Sequence, residues 1–200
     1  MRYDISSNKD KCLEKIFKYI KVYFSTDKSL WSWETFYPYI ETLIYNSLEE
    51  TYGITIKAAK EIYGIKFKET IDEETLKDLT YSKDGKSLEE RIKEHYEEAV
   101  KKDNPTLYFY NRIVLIMDTE TSYATNHVIH GKVKKYATYV EILEQPECMD
   151  EPGSECEYWV LKGKMPIEEL EELPPYHPDC DCQVIYYIDK EKIKEKEKEN

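Results

Sequence analysis

Leu173-Pro-Pro-Tyr-His-Pro-Asp-Cys-Asp-Cys-Gln-Val184 carries a histidine and two cysteines on an arm stiffened by prolines. Two more cysteines, Cys148 and Cys156, come before it, so four of the chain's five cysteines fall within thirty-five residues. Pro174 and Pro175 set Tyr176 and His177 off from what precedes, and Pro178 restricts His177 to extended or turn geometry. Alternate positions of an extended chain share a face, so Cys180 and Cys182 can point at one ion while Asp179 and Asp181 point away. Zinc takes four nitrogen or sulfur ligands in a tetrahedral array. Five candidates are present: Cys148, Cys156, His177, Cys180 and Cys182. Their spacing is not the common paired Cys-x-x-Cys, because seven residues separate Cys148 from Cys156 and one separates Cys180 from Cys182. A structural zinc site is the first reading. One or two disulfides, or free buried thiols, are the competing ones.

The whole chain sets bounds on that site. Its 200 residues, 40% of them hydrophobic, suffice for one sizeable core or two small ones. With 29 basic and 41 acidic residues the chain is acidic, and no run of apolar residues is long enough to span a membrane. The first ten residues lack the apolar core of a signal peptide. The expected setting is therefore reducing, where clustered Cys and His suggest metal before disulfides. Asn and Gln are scarce, at six and two, while Lys, Glu, Ile and Tyr abound, a balance suited to a thermophilic source. The acidity is concentrated: residues 141–181 hold thirteen acidic side chains against Lys162 and Lys164. That segment repels a phosphate backbone and suits a divalent cation or a basic protein surface.

Periodicity supplies the frame. Apolar residues at helical spacing predict helices over Lys9–Phe24, with Ser7 and Asp10 as caps, and over Trp31–Tyr52, closed by Gly53. A short helix over Ile54–Tyr63 follows, closed by Gly64. Cys12 reads as a small core residue. Thr70-Ile-Asp-Glu73 and Ser87-Leu-Glu-Glu90 match the capping-box pattern and open helices over Ile71–Leu79 and Leu88–Lys102. Asn104-Pro105 opens the longest helix, to His130, with Gly131 beyond its end. His127 and His130 read as favourable charges at that end. Strand-like patterns cover Tyr139–Leu143, Tyr158–Leu161 and Val184–Ile188, with a helical turn at Ile167–Leu170. The expected fold is α+β, helical through its N-terminal two-thirds and ending in a small antiparallel β-unit around a Cys/His zinc-type site.

The longest helix carries Arg112, Glu120 and Asn126 among apolar residues, which predicts a structural polar network between helices. A catalytic metal needs an open coordination position and a general base. With up to five protein ligands no vacancy is indicated, and the His-x-Glu pairing of zinc deaminases is absent. The metal is therefore read as structural and the chain as no enzyme. The alternative is a metal-dependent hydrolase or nuclease-like enzyme using Glu120, Glu155 or Glu157.

The order of these features resembles a known family. A helix bears Arg112 and Ile116-Met-Asp-Thr-Glu-Thr121, then Asn126. A cysteine pair ending in Cys156 follows, then Leu161-Lys-Gly163 and Pro174-Pro-Tyr-His-Pro-Asp-Cys-Asp-Cys182. Over about residues 71–188 this is similar to the Mu F-like minor head proteins of tailed phages, the head morphogenesis proteins. Their pattern is Arg-Thr-Glu on a helix, Cys-x-x-Cys, Leu-x-Gly, then Pro-Pro-x-His-Pro-x-Cys-Arg-Cys. Asp118 and Asp181 stand where the family has arginine, and both departures argue against a phosphate contact. Periodicity makes residues 1–66 a helical subdomain, and the resemblance implies a Mu F-like domain over 67–188, with helices over 71–130 and the β/zinc unit over 133–188. A charged tail over 189–200 follows. It further implies a structural protein of a virus or provirus head, found in the virion or, during assembly, in the host cytoplasm. Its partners would be portal and capsid proteins; the lack of a long apolar run argues against a membrane, and the acidic charge argues against direct nucleic-acid binding through the cysteine region.

Overall fold

Apolar stripes at helical spacing build the first half of the molecule. The computed structural model describes residues 5–65, 80, 85–143, 154–177, 180 and 182–198. Helix α1 (Ile5–Tyr23) leads through a short 3-10 turn (Lys28–Leu30) to α2 (Trp33–Tyr63). Helix α3 (Leu88–Ala99) and the long α4 (Pro105–Val133) complete a helical body. Its core packs Ile16 and Ile20 of α1, Phe36, Ile40 and Ile44 of α2, Ile92 of α3, and Phe109, Ile113 and Met117 of α4, all fully buried. Aromatic rings close one end, with Phe36 against Tyr96 at 4.9 Å and against Phe109 at 5.1 Å between centroids.

Several boundaries differ from the sequence reading, each for a packing reason. Helix α1 starts before Ser7 and Asp10, so neither caps it. Asn8, on its second turn, is buried and donates to the Ser47 carbonyl at 2.9 Å and the Thr51 hydroxyl at 3.2 Å, which holds that end against α2. Helix α2 runs through Gly53 as one element of 31 residues. A glycine inside a helix costs about 1 kcal/mol, and here Leu48, Tyr52, Ile56 and Ala59 continue one buried stripe across it. Gly64 does close the helix, in a left-handed conformation (φ 69°) that glycine adopts without strain. The Ser87–Glu90 capping box is formed in both directions. Asn104 caps α4 by accepting from the Leu107 N–H at 3.1 Å, and Pro105 takes the first turn. Helix α4 passes Gly131 and ends at the fully buried Val133. The Thr70–Glu73 box and the helix over Ile71–Leu79 lie outside the described residues.

The second half is a three-stranded antiparallel sheet with one helix against it. Strand β1 (Ala137–Leu143) lies between β2 (Met165–Pro166) and β3 (Gln183–Ile188), giving the order β2-β1-β3. Val140 stands opposite Tyr186 and Ile142 opposite Val184, and these four face inward. Glu141 and Ile185 form an outward pair. The stretch read as a strand at Tyr158–Leu161 is instead helix α5 (Glu155–Lys162), capped by the Ser154 hydroxyl accepting from the Glu157 N–H. Ile167–Glu169 is a 3-10 turn, as the sequence suggests, and α6 (Lys190–Lys198) ends the described chain. A second core, separate from the helical one, gathers Val133, Val140, Ile142, Trp159, Met165, Tyr176, Val184 and Tyr186 around Cys156, Cys180 and Cys182. Helix α4 belongs to both cores. Its 29 residues reach about 43 Å at 1.5 Å per residue, and Val128 packs with Tyr52 and Ile56 between them. No helix among the described residues is long and apolar enough to cross a membrane.

The histidines near the end of α4 are not end charges. His127 stacks on Tyr123 with ring centroids 3.8 Å apart, and His130 Nδ1 shares a 2.9 Å hydrogen bond with the Tyr186 hydroxyl. Burial pushes His127 down to about 4, helped by neighbouring His130, and burial likewise lowers His130. The native state therefore binds fewer protons than the unfolded chain, so stability rises with pH in this window. The His127 contribution is intact above the ordinary histidine value of 6.5 and is lost as pH falls toward about 4. Thermal unfolding followed across that range, in chelator to set metal aside, should show His127→Gln losing less stability on acidification than the native chain. Equal losses in the two proteins would contradict this.

Candidate metal centre

Each ligand of the centre is presented by a different local device. Cys156 sits in the first turn of α5, placed there by the Ser154 cap at the helix end that favours negative charge. One turn further along, Trp159 stacks on Tyr176 at 6.3 Å with the rings 13° apart, so the helix is laid against the proline arm. On that arm Pro174, Pro175 and Tyr176 are buried, and the bond between the two prolines is cis. The Cys180 N–H donates to the His177 carbonyl at 3.2 Å, a turn that folds His177 and Cys180 toward each other. Cys182 stands immediately before β3, whose pairing with β1 fixes its height.

These devices converge. The ligand atoms of Cys156, His177 and Cys180 all lie within 4.8 Å of one another, a group that can hold a metal ion. The Cys156 and Cys180 sulfurs are 3.6 Å apart. Two sulfurs bound to one tetrahedral zinc are about 3.8 Å apart, from Zn–S of about 2.3 Å, whereas a disulfide needs about 2.05 Å. Cys182 shares the same buried core but is not among those mutually close ligand atoms. All three cysteines are fully buried and His177 is half-buried. Cys12, Cys156, Cys180 and Cys182 are free thiols, and Cys12 sits in the helical core against the Leu43 carbonyl, as read. Cys148 lies outside the described residues.

Three thiols at this spacing are in electrostatic conflict. Hydrogen bonds from Cys156 and then Cys182 push Cys180 well below the ordinary thiol range, helped by backbone at Tyr176 and Cys182. The same contacts, reversed in sign, push Cys182 up, and burial adds to them. Two buried thiolates this close would repel each other, so the cysteines resist ionising together. Tyr176 is pushed up by burial first and by the adjacent cysteines second. A divalent cation bound there would offset that repulsion.

The three polar residues of α4 have separate tasks rather than forming one network. Arg112 is exposed, with its guanidinium 5.5 Å over the Tyr108 ring. Glu120 is fully buried and ion-paired with Arg91 of α3. Asn126, also buried, reaches into the β-unit: its Nδ2 donates to the Cys182 carbonyl at 3.0 Å, and its Oδ1 accepts from the Val184 N–H at 3.3 Å. Helix geometry explains the separation. Arg112 and Glu120 are about 12 Å apart along the axis, and Glu120 and Asn126 differ by about 120° around it. Asp118, which stands where the resembling family has arginine, is ion-paired with Lys9. Arg91 was invisible as a partner because its pairing depends on how α3 lies on α4. The phase of the Ser87 cap and the apolar Leu88, Ile92 and Tyr96 could have placed it near the helix interface. Compared with family models, curated proteins and solved structures, the chain matches none.

Removing one partner of a buried ion pair strands the other charge, at about 3–5 kcal/mol, whereas replacing both by apolar groups is often neutral. Urea unfolding should therefore give a large loss for Glu120→Ala or Arg91→Ala. The double change Arg91→Met with Glu120→Leu should lose less than either. Additive losses would show that the two side chains are not coupled.

Proposed function

We propose that this chain is a structural minor head protein of a tailed virus or provirus, a head morphogenesis protein docking on portal and capsid proteins during assembly. One observation carries the reading. Cys156, His177 and Cys180, which belong to the motifs that resemble the Mu F-like family, meet in one group that could hold a metal ion. The ion this donor set fits best is zinc, because three sulfurs and one imidazole from the protein make a soft, closed tetrahedral set. When bound, such an ion supplies folding energy, roughly 10–16 kcal/mol in zinc-finger peptides. Cys156, His177, Cys180 and Cys182 would hold it.

A structural role accords with the surroundings. Of the three candidate bases, Glu120 is buried and engaged by Arg91, while Glu155 and Glu157 are exposed on α5. Glu168, Glu169, Glu171 and Glu172 are exposed beside the β-unit. An acidic surface of this kind favours a basic protein partner and disfavours a phosphate backbone.

Co-expression with the portal and major capsid proteins of a tailed virus from the same source tests the reading. The chain should co-sediment with assembled heads in few copies per particle, and omitting it should reduce the yield of well-formed heads. A chain that sediments apart from the particles would refute the assignment. So would zinc-loaded protein that cleaves DNA, which would turn the reading toward a nuclease-like enzyme.

A further inference from the structure

We infer that Asn126 is the positioning residue of the metal centre, a side chain on α4 that fixes the Cys182 peptide and so aims the Cys180–Cys182 pair at the ion. The inference rests on the reading that the cluster binds zinc. It starts from the sheet. Strand β3 lies at one end of the order β2-β1-β3, so among the described residues one of its edges has no strand beside it. Backbone N–H and C=O groups on such an edge are left open unless something covers them. Asn126 covers the end nearest the metal. Its carboxamide donates to the Cys182 carbonyl and accepts from the Val184 N–H, the same pair of bonds that a neighbouring strand would make. A carboxamide can do both because it carries a donor and an acceptor in the geometry of a peptide group. An aspartate would lose the donor, and a hydrophobic residue would lose both.

The carbonyl that Asn126 holds belongs to a ligand residue. Rotation of the Cys182 peptide would swing the Cys182 side chain and, through the intervening Asp181, alter its relation to Cys180. Pinning that peptide to a helix anchored in two cores makes the sulfur's direction a property of the whole fold rather than of a short loop. The rest of the edge is held differently. The Tyr63 hydroxyl faces the Tyr186 backbone N–H, and His130 bonds the Tyr186 hydroxyl. Those contacts fasten β3 to α2 and α4 but touch no ligand residue. They serve as an internal control.

Supporting groups of this kind typically change metal affinity 10- to 100-fold when removed. Zinc affinity, measured by competition with a chromophoric chelator, should fall by about that factor in Asn126→Ala and by less in Asn126→Asp, which keeps the volume and one acceptor. Cobalt substituted for zinc should show altered ligand-field bands in both variants, a signature that a purely structural loss would not produce. His130→Ala should lower thermal stability while leaving affinity and cobalt bands as in the native chain. If Asn126→Ala does not fold, Asn126→Asp alone decides the donor's role. Native affinity and native cobalt bands in the Asn126 variants would overturn the inference and leave the metal reading standing. A native chain that takes up neither zinc nor cobalt would overturn the metal reading itself.

Discussion

Cys156, His177 and Cys180 meet in a group that could hold a metal ion, and the C-terminal half of the molecule packs its core around the buried cysteines. The sheet there has three strands, and β2 is two residues long. Sheets this small are marginal without further support. The cysteines occupy the middle of the second core, where a conventional unit would place aliphatic side chains. An ion at that point would act as the centre of the core and as the cross-link between α5, the proline arm and the start of β3.

The other half holds itself together by conventional means. Isoleucines and aromatic rings fill the helical core, and its one fully buried acid is matched by Arg91. What joins the halves is α4, whose N-terminal turns belong to one core and whose last residue belongs to the other. Asn126 and His130 are the points at which this helix grips β3, the first at the metal end and the second further along.

The α+β division and the Cys/His cluster were legible because their signals are local. His177, Cys180 and Cys182 lie within six residues, and the prolines around them announce an irregular arm. The Ser87–Glu90 box and the Asn104-Pro105 start were readable for the same reason, since a cap needs only its own turn. Helix α5 was misread because Tyr158-Trp159-Val160 has strand composition, although Ser154 and Glu157 stood at capping-box spacing before it. Gly53 was taken as a stop because a stripe that continues across a glycine shows only once its neighbours are in place. The tasks of Glu120, Asn126 and His130 were not readable at all. Each is set by a residue between 29 and 58 positions away, and tertiary packing alone brings those partners together.

X-ray absorption at the zinc edge of the purified chain, grown with zinc in the medium, tests the central claim most directly. The expected spectrum shows one tightly held zinc per chain with about three sulfurs at about 2.3 Å and one nitrogen at about 2.0–2.1 Å. A shell of oxygen and nitrogen alone would contradict the cluster as the metal centre. So would a zinc-free chain whose β-unit unfolds at the same temperature with and without added zinc.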